Sequence, residues 1–268
     1  MVLTGLVSDF YNIGMIPDWQ LPPGVDRGLH DYMRSAEMVA GYGAMMAASP
    51  LAELDVRFCA KWFAPPGRVI DLGCGTGRLA KPMTDLGHEY VGVDLSEEML
   101  RKASRPFEGS GPDPTLQRVG SPRIAFLSGN LVELPTLPVG PFDYAACLFS
   151  TLGMIVGDQN RRTAVANVFQ LLKPGGVFVL HVHNRYFREL GFKGLRTGDI
   201  TMSQAYGGAP LTLHHFGRRE AVGLLKAVGF RVLEVLPVAA DGELRRPWLF
   251  PTHRAYGYLI AAISEWEA

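Results

Sequence analysis

Cysteine is scarce in this chain of 268 residues: Cys59, Cys74 and Cys147 lie far apart and form no CxxC pair. That spacing excludes a disulfide framework and a cysteine zinc site, and makes a reducing cytoplasm the default setting. Net charge is missing too, because 26 Lys and Arg cancel 26 Asp and Glu. No global positive field is available to hold DNA or RNA, so nucleic acid ranks low among expected partners. The longest stretch free of Asp, Glu, Lys, Arg and His, 38–52, falls short of the ~18 residues a spanning helix needs. The opening MVLTGLVSDFY carries no basic leader, and the expectation is an unexported protein with no membrane partner. What is abundant is apolar: 47% hydrophobic against 19% charged residues is the composition of a chain that buries a sizeable core.

From residue 50 onward, helical and strand periodicities alternate. Ser49-Pro50 makes a good helix start, and Leu51, Leu54, Phe58 and Trp62 then recur on one face until Pro65-Pro66-Gly67 stops the run. Short apolar runs at 68–72, 90–93, 124–127, 142–148 and 176–182 read as buried parallel strands. Between them, Ser96 can cap a helix whose first turn holds Glu97 and Glu98, and Asp158 can cap another running through Val165, Val168, Phe169 and Leu172. Such alternation predicts an α/β fold, a doubly wound sheet whose ligands sit at the carboxyl ends of its strands. Residues 104–122 hold ten Gly, Pro or Ser and predict a long surface loop. Segments 1–48 and 184–217 fall outside the alternation beside the ligand edge, which predicts two segments capping a domain over 49–268. Within the second, Gly207-Gly208 signals a hairpin between 201–206 and 211–216, with Pro210 restricting the second strand to an edge.

The chemistry is concentrated in Val69-Ile70-Asp71-Leu72-Gly73-Cys74-Gly75-Thr76-Gly77, an apolar strand feeding a glycine-rich turn into a helix predicted to begin near Arg78. Glycine lets the backbone turn tightly and admits a ligand close to the main chain. Asp94 stands at the end of the next strand, 21 positions beyond Gly73, where a carboxylate can accept both hydroxyls of a ribose. The third glycine comes one residue earlier than in the dinucleotide pattern G-x-G-x-x-G. Asp71 would repel a pyrophosphate, which argues further against a dinucleotide.

With these residues the chain resembles the class I S-adenosylmethionine-dependent methyltransferase family, over residues 50 to about 265. The resemblance implies a seven-stranded Rossmann-like sheet of order 3-2-1-4-5-7-6, its seventh strand, 255–263, inserted antiparallel. It implies S-adenosylmethionine, or its product S-adenosylhomocysteine, as the bound cofactor. Asp71, Gly73, Cys74, Gly75 and Gly77 match the family's opening motif, and Asp94 and Leu95 its ribose strand and adenine contact. Asn130 and Leu131 stand at the adenine edge, where the family usually has aspartate. Leu148 and Phe149 end the fourth strand, without the Asn/Asp-Pro-Pro-aromatic signature of enzymes acting on base amino groups, and 171–176 resembles the common turn before the fifth strand.

Methyl transfer from a sulfonium is an in-line displacement, so alignment and exclusion of water supply much of the catalysis. A hydroxyl or amine acceptor still has a proton to lose, and histidine is the natural base near neutral pH. Strand alternation puts His181 and His183 on one face and His214 and His215 on opposite faces. The candidates chosen are His183 as base, with Asn184 and His214 completing the polar wall, and a small molecule as acceptor. No carboxylate accompanies the histidines at ligand spacing, so no metal is expected. Tyr11, Trp19, Tyr32, Met33, Met38, Tyr42, Met45 and Met46 can line an apolar pocket; Met38, Tyr42, Met45 and Met46 have the spacing of helix packing, whereas Tyr11 and Tyr32 suit closure over a cofactor. A methyltransferase for RNA or protein and a non-catalytic S-adenosylmethionine-binding module are the competing readings.

Overall fold

The computed structural model describes residues 16–107, 124–136, 139–191, 193–205, 209–242 and 251–266. Seven strands form one sheet: β1 (Arg68–Leu72), β2 (Glu89–Asp94), β3 (Ile124–Ser128), β4 (Phe142–Cys147), β5 (Leu172–His183), β8 (Phe230–Val238) and β9 (Gly257–Ser264), in the order β3-β2-β1-β4-β5-β9-β8. The first five pair in parallel, and β9 runs antiparallel to both β5 and β8. This is the doubly wound order expected from the sequence, with the inserted strand shifted slightly along the chain. β6 (Asp199–Ala205) and β7 (Ala209–His214) form a separate antiparallel hairpin after β5. Pro210 tolerates its place in β7 because a two-stranded ribbon consists of edges. Gly207, Gly208, Tyr11 and most of the loop predicted at 104–122 lie outside the described residues.

Helices cover both faces. On one, α3 (Pro50–Trp62) buries Leu51, Leu54 and Phe58 against the sheet beside α4 (Ala80–Asp85), and Trp62 packs in part. On the other, α7 (Asp158–Leu171) and α8 (Arg218–Val228) pack Val165, Val168, Ala221 and Leu225 over Phe178 and Ile260. α5 (Glu97–Ser104) begins as expected, with Ser96 Oγ accepting from Met99 N. Three local expectations need correction. Gly157, not Asp158, is the N-cap of α7, and the Asp158 carboxylate instead pairs with Arg161 within the first turn. Leu172 opens β5 rather than closing the helix, because it pairs with Phe142 before an irregular stretch resumes the register at Val177 with Tyr144. The turn after Gly77 delays α4 to Ala80.

Ahead of the sheet domain come α1 (Arg27–Arg34) and α2 (Ala36–Ala47), and two short helices, α6 (Thr151–Met154) and α9 (Pro251–Arg254), complete the described α-helices. No helix of the described residues is long and apolar enough to cross a membrane. Leu29, Tyr32, Met38, Val39, Met99, Leu211 and Leu213 form a separate apolar cluster that joins α1 and α2 to α5 and the hairpin. The α1–hairpin contact is close: a Cβ on Gly28 would lie 2.2 Å from the Pro210 carbonyl oxygen.

Candidate active site

At the carboxyl end of β1 the glycine turn is held by backbone bonds, Gly73 N and Cys74 N both donating to Val93 O at 2.8 and 3.0 Å. Gly73 has φ 71° and Gly75 φ 54°, conformations L side chains rarely adopt. Space forbids side chains as well. A Cβ on Gly73 would stand 2.3 Å from Thr151 Cγ2, and one on Gly75 3.0 Å from the Tyr42 ring. Asp94 ties this turn to the next element: one carboxylate oxygen accepts from Gly75 N at 2.9 Å, the other from Ser96 N at 2.8 Å. A carboxylate has about four acceptor positions, so each oxygen keeps capacity for a ligand hydroxyl. Burial raises the Asp94 carboxyl pKa, opposed by these backbone donors.

Above the turn lies a cavity of about 710 Å³, its open mouth included. Gly73, Gly75, Asp94 and Leu95 line it from the sheet side, Asn130 and Leu131 from beyond β3, and Thr151, Met154 and Ile155 from α6 and its exit. Gly24, Val25, Leu29, Tyr32, Met33 and Tyr42 close it from the N-terminal side. Of the apolar N-terminal residues singled out in the sequence, Tyr32, Met33 and Tyr42 therefore face the cavity, Met38 and Met46 are buried in packing, and Trp19 is 80% exposed. The helical spacing of Tyr42 pointed to packing; it lies over the glycine turn instead, and burial pushes its phenol up to about 12.

Polar bonds fasten the N-terminal segment to the cavity rim. Ser96 Oγ donates to Met33 O at 3.0 Å, Val156 N to Gly24 O at 2.8 Å, and Asn130 Nδ2 to Pro23 O at 2.9 Å. Asn130 Oδ1 already accepts from Val132 N at 3.0 Å. Its amide thus works first as a clasp between the N-terminal segment and the adenine-edge position, a role invisible in the motif.

Asp71, Cys74, Gly77, Leu148 and Phe149 do not line this cavity. Cys74 turns its thiol toward Gly92, where a Cβ would be 2.8 Å from Sγ, and burial raises that thiol well above its ordinary pKa. Asp71 accepts from Tyr90 Oη at 2.7 Å, and burial pushes its carboxyl up to about 6 despite that bond. A carboxyl raised in the folded state binds more protons there than when unfolded, so its contribution to stability is lost as pH rises from about 4 to about 6. Asp71→Asn is expected to gain stability relative to wild type across that window, on the order of 3 kcal/mol. Melting curves of the two proteins from pH 4 to 7 check this, and a constant difference would contradict it.

The histidines form a second group, beside Phe149. On β5, His181 and His183 share a face, their ring centroids 6.1 Å apart. Phe149, with φ 51°, stands edge-on to both rings at 6.2 and 5.7 Å. His183 also approaches Tyr256 at 4.7 Å and His215 at 5.6 Å. Burial, then the neighbouring His181 and His215, lowers its pKa well below the ordinary value. His215 rather than His214 therefore joins this group. His214 lies between two carboxylates, Asp199 at 2.7 Å and Glu220 at 2.8 Å, and Arg185 also pairs with Glu220, so it fastens the hairpin to α8. Asn184 is occupied as well, donating to Ala255 O at 2.7 Å and accepting from Tyr186 N at 3.1 Å. Of the three catalytic candidates, only His183 faces the aromatic group.

Asp55 and Arg78 were not singled out in the sequence. Asp55, fully buried in α3, accepts from Arg78 at 2.6 Å on one oxygen and lies 2.6 Å from His181 Nδ1 on the other. A signal was available: Asp55 sits on the buried stripe Leu51, Leu54, Phe58, Cys59, where an unpaired charge is prohibitively costly. Among the described residues no three His, Cys, Asp or Glu side chains are grouped to hold a metal ion.

Residues 69–176 match a family model described as a methyltransferase domain. The chain is 31% identical over 120 residues to the putative methyltransferase YqeM of Bacillus subtilis, covering 45% of this chain and 44% of that protein. It is 34% identical over 118 residues to a ubiquinone biosynthesis O-methyltransferase of Psychrobacter cryohalolentis, covering 44% and 41%. The chain thus spans about half the length of the curated relatives it matches. The solved structure of the CcbJ methyltransferase from Streptomyces caelestis superposes with a TM-score of 0.63 at 23% identity, over 87% of this chain and 98% of that one. Residues 69–176 thus carry a methyltransferase domain, set in a sheet with the strand order of the class I S-adenosylmethionine-dependent methyltransferase fold.

Proposed function

We propose that this protein transfers the methyl group of S-adenosylmethionine to a nitrogen or oxygen of a small-molecule acceptor. The observation that carries the reading is the cavity over the glycine turn, floored by Asp94 and roofed by apolar side chains of α1 and α2, with no lysine or arginine among the described residues of its lining. A polynucleotide acceptor calls for an extended basic surface, whereas an apolar cleft suits a cofactor and a small partner. The relative from Psychrobacter is named an O-methyltransferase, which agrees with an oxygen acceptor.

The residues fit the cofactor, since Gly73 and Gly75 present bare backbone to the cavity, where a Cβ would crowd Thr151 or Tyr42 and narrow the space its methionine portion would take. In this reading Asp94 receives the ribose hydroxyls, Leu95, Asn130 and Leu131 border the adenine, and Cys74 and Gly77 contribute backbone to the cradle. Asp71 places its charge behind the amino group and sulfonium, and Leu148 and Phe149 carry the chain to the acceptor side. When bound, the cofactor supplies an electrophilic methyl. The chain orients it, and α1 and α2 act as a cap that excludes water. We place the protein in the cytoplasm, where its three free, buried cysteines stay reduced.

Calorimetry with S-adenosylhomocysteine tests the reading. Wild type is expected to bind, and Asp94→Ala to bind more weakly by ~1–3 kcal/mol, because a ribose then enters without its acceptor and Gly75 N loses a partner. Absence of binding by wild type would refute the proposal, and turnover of labelled cofactor separates an enzyme from a binding module. Hydrogen exchange over α1 and α2 is expected to slow when S-adenosylhomocysteine is added; unchanged exchange there would argue against the cap.

A further inference from the structure

Three buried side-chain polar atoms lack a hydrogen-bond partner among the described residues: Arg27 Nη1, His181 Nε2 and His183 Nε2. Two of the three stand on one face of β5 within the same aromatic group. Leaving a buried polar atom unsatisfied is costly, so a pair of them side by side marks a place suited to a bound partner. Backbone has been kept clear of it. A Cβ on Gly257 would come within 3.0 Å of His181 Nε2 and 2.6 Å of the Val182 carbonyl, so glycine alone leaves the space beside that nitrogen.

His181 and His183 differ in what lies behind them. Behind His181 Nδ1 stands the Asp55 carboxylate, which accepts the Nδ1–H and leaves Nε2 as the ring's proton-accepting atom. Around His183 the described residues place other rings and no carboxylate at hydrogen-bond distance, so an imidazolium there would have no counter-charge among them. Arg78, one residue past the glycine turn, holds the second Asp55 oxygen, and its guanidinium stands 5.9 Å from the Phe149 ring. The element that carries the cofactor turn therefore also sets the position of the dyad.

Resting on the methyl-transfer reading above, we propose that His181 Nε2, oriented by Asp55, accepts the proton of the acceptor's attacked O–H or N–H beside Phe149, His183, Tyr256 and Gly257. The acceptor's lone pair forms the new bond to the methyl carbon, the sulfur keeps the pair of the breaking S–C bond, and the proton moves to Nε2. The positive charge that leaves the sulfonium reappears on an imidazolium facing the Asp55 carboxylate. Phe149 is the partly exposed side chain over these rings, and its turning aside admits the acceptor. Asp55 is a positioning residue and His181 a catalytic one.

The test uses protein saturated with S-adenosylhomocysteine and long-range nitrogen NMR of its histidines, with phenol and then benzylamine as probes. His181 is expected to show a protonated Nδ1 and a bare Nε2, and the Nε2 resonance to move as probe is added. His181→Gln should still bind S-adenosylhomocysteine while its affinity for phenol falls roughly tenfold, the loss of one net hydrogen bond. Asp55→Asn should keep cofactor-product binding and lose the tautomer preference; if it does not fold, His181→Gln decides alone. A protonated Nε2 in wild type, or an Nε2 resonance indifferent to both probes in protein that binds S-adenosylhomocysteine, overturns the proposal. Failure to bind S-adenosylhomocysteine overturns the methyl-transfer reading instead.

Discussion

With Asp55 replaced by alanine, the protein is expected to lose ~3–5 kcal/mol of stability and to melt roughly 6–20 °C lower. The substitution leaves the partly buried Arg78 guanidinium and the buried His181 Nδ1 without their carboxylate, and removing one partner of a buried pair costs far more than the pair itself contributes. The pH dependence follows from the same geometry. Burial alone would raise the Asp55 carboxyl; the hydrogen-bonded His181 ring, then the Arg78 guanidinium, hold it below the ordinary carboxylate range. A depressed carboxyl stabilises the fold above its unfolded value, near pH 4, and this stabilisation is lost as pH falls through the folded value. The gap between wild type and Asp55→Ala should therefore be full at neutral pH and narrow in acid. Thermal unfolding of both proteins measures it, and a variant melting within a degree or two of wild type at pH 7 would show that the buried network contributes little.

Gly73→Ala is expected to abolish most cofactor binding, weakening S-adenosylhomocysteine roughly 30-fold or more. Two costs add. An alanine at φ 71° carries the ~1–2 kcal/mol penalty of left-handed backbone, and its Cβ would lie 2.3 Å from Thr151 Cγ2. Thr151 does not swing away freely, because its Oγ1 donates to Leu148 O at 2.9 Å. The turn must shift, and with it the Gly75 N–H that Asp94 holds. Adding Thr151→Ala removes the methyl and hydroxyl contacts but not the backbone penalty, so the double variant should recover only part of the affinity. Calorimetry on the two variants decides this; full rescue would assign the effect to the clash alone.

The parts of this molecule legible in one dimension are those whose cause is local. A strand delivering Gly73, Gly75 and Gly77, an Asp at the end of the next strand, and a Ser96 cap each follow from backbone geometry over a few residues, and the alternation of apolar runs sets the layering of the sheet. Even the shared face of His181 and His183 follows from the period of a strand.

Neighbours brought from far along the chain were not legible. Asp55 meets His181 across 126 positions, and Asn130 meets Pro23 across 107, so neither spacing leaves a mark in sequence. Which of His214 and His215 turns toward His183 depended on where Asp199 and Glu220 fell once the hairpin packed against α8. Tyr42, with the spacing of a packing residue, covers the glycine turn because α2 crosses it. Sequence alone determined the sheet and the glycine cradle, since propensity and periodicity act between near neighbours. Tertiary structure decided which histidine has a carboxylate behind it, because a buried charge is tolerable only where the fold supplies its partner.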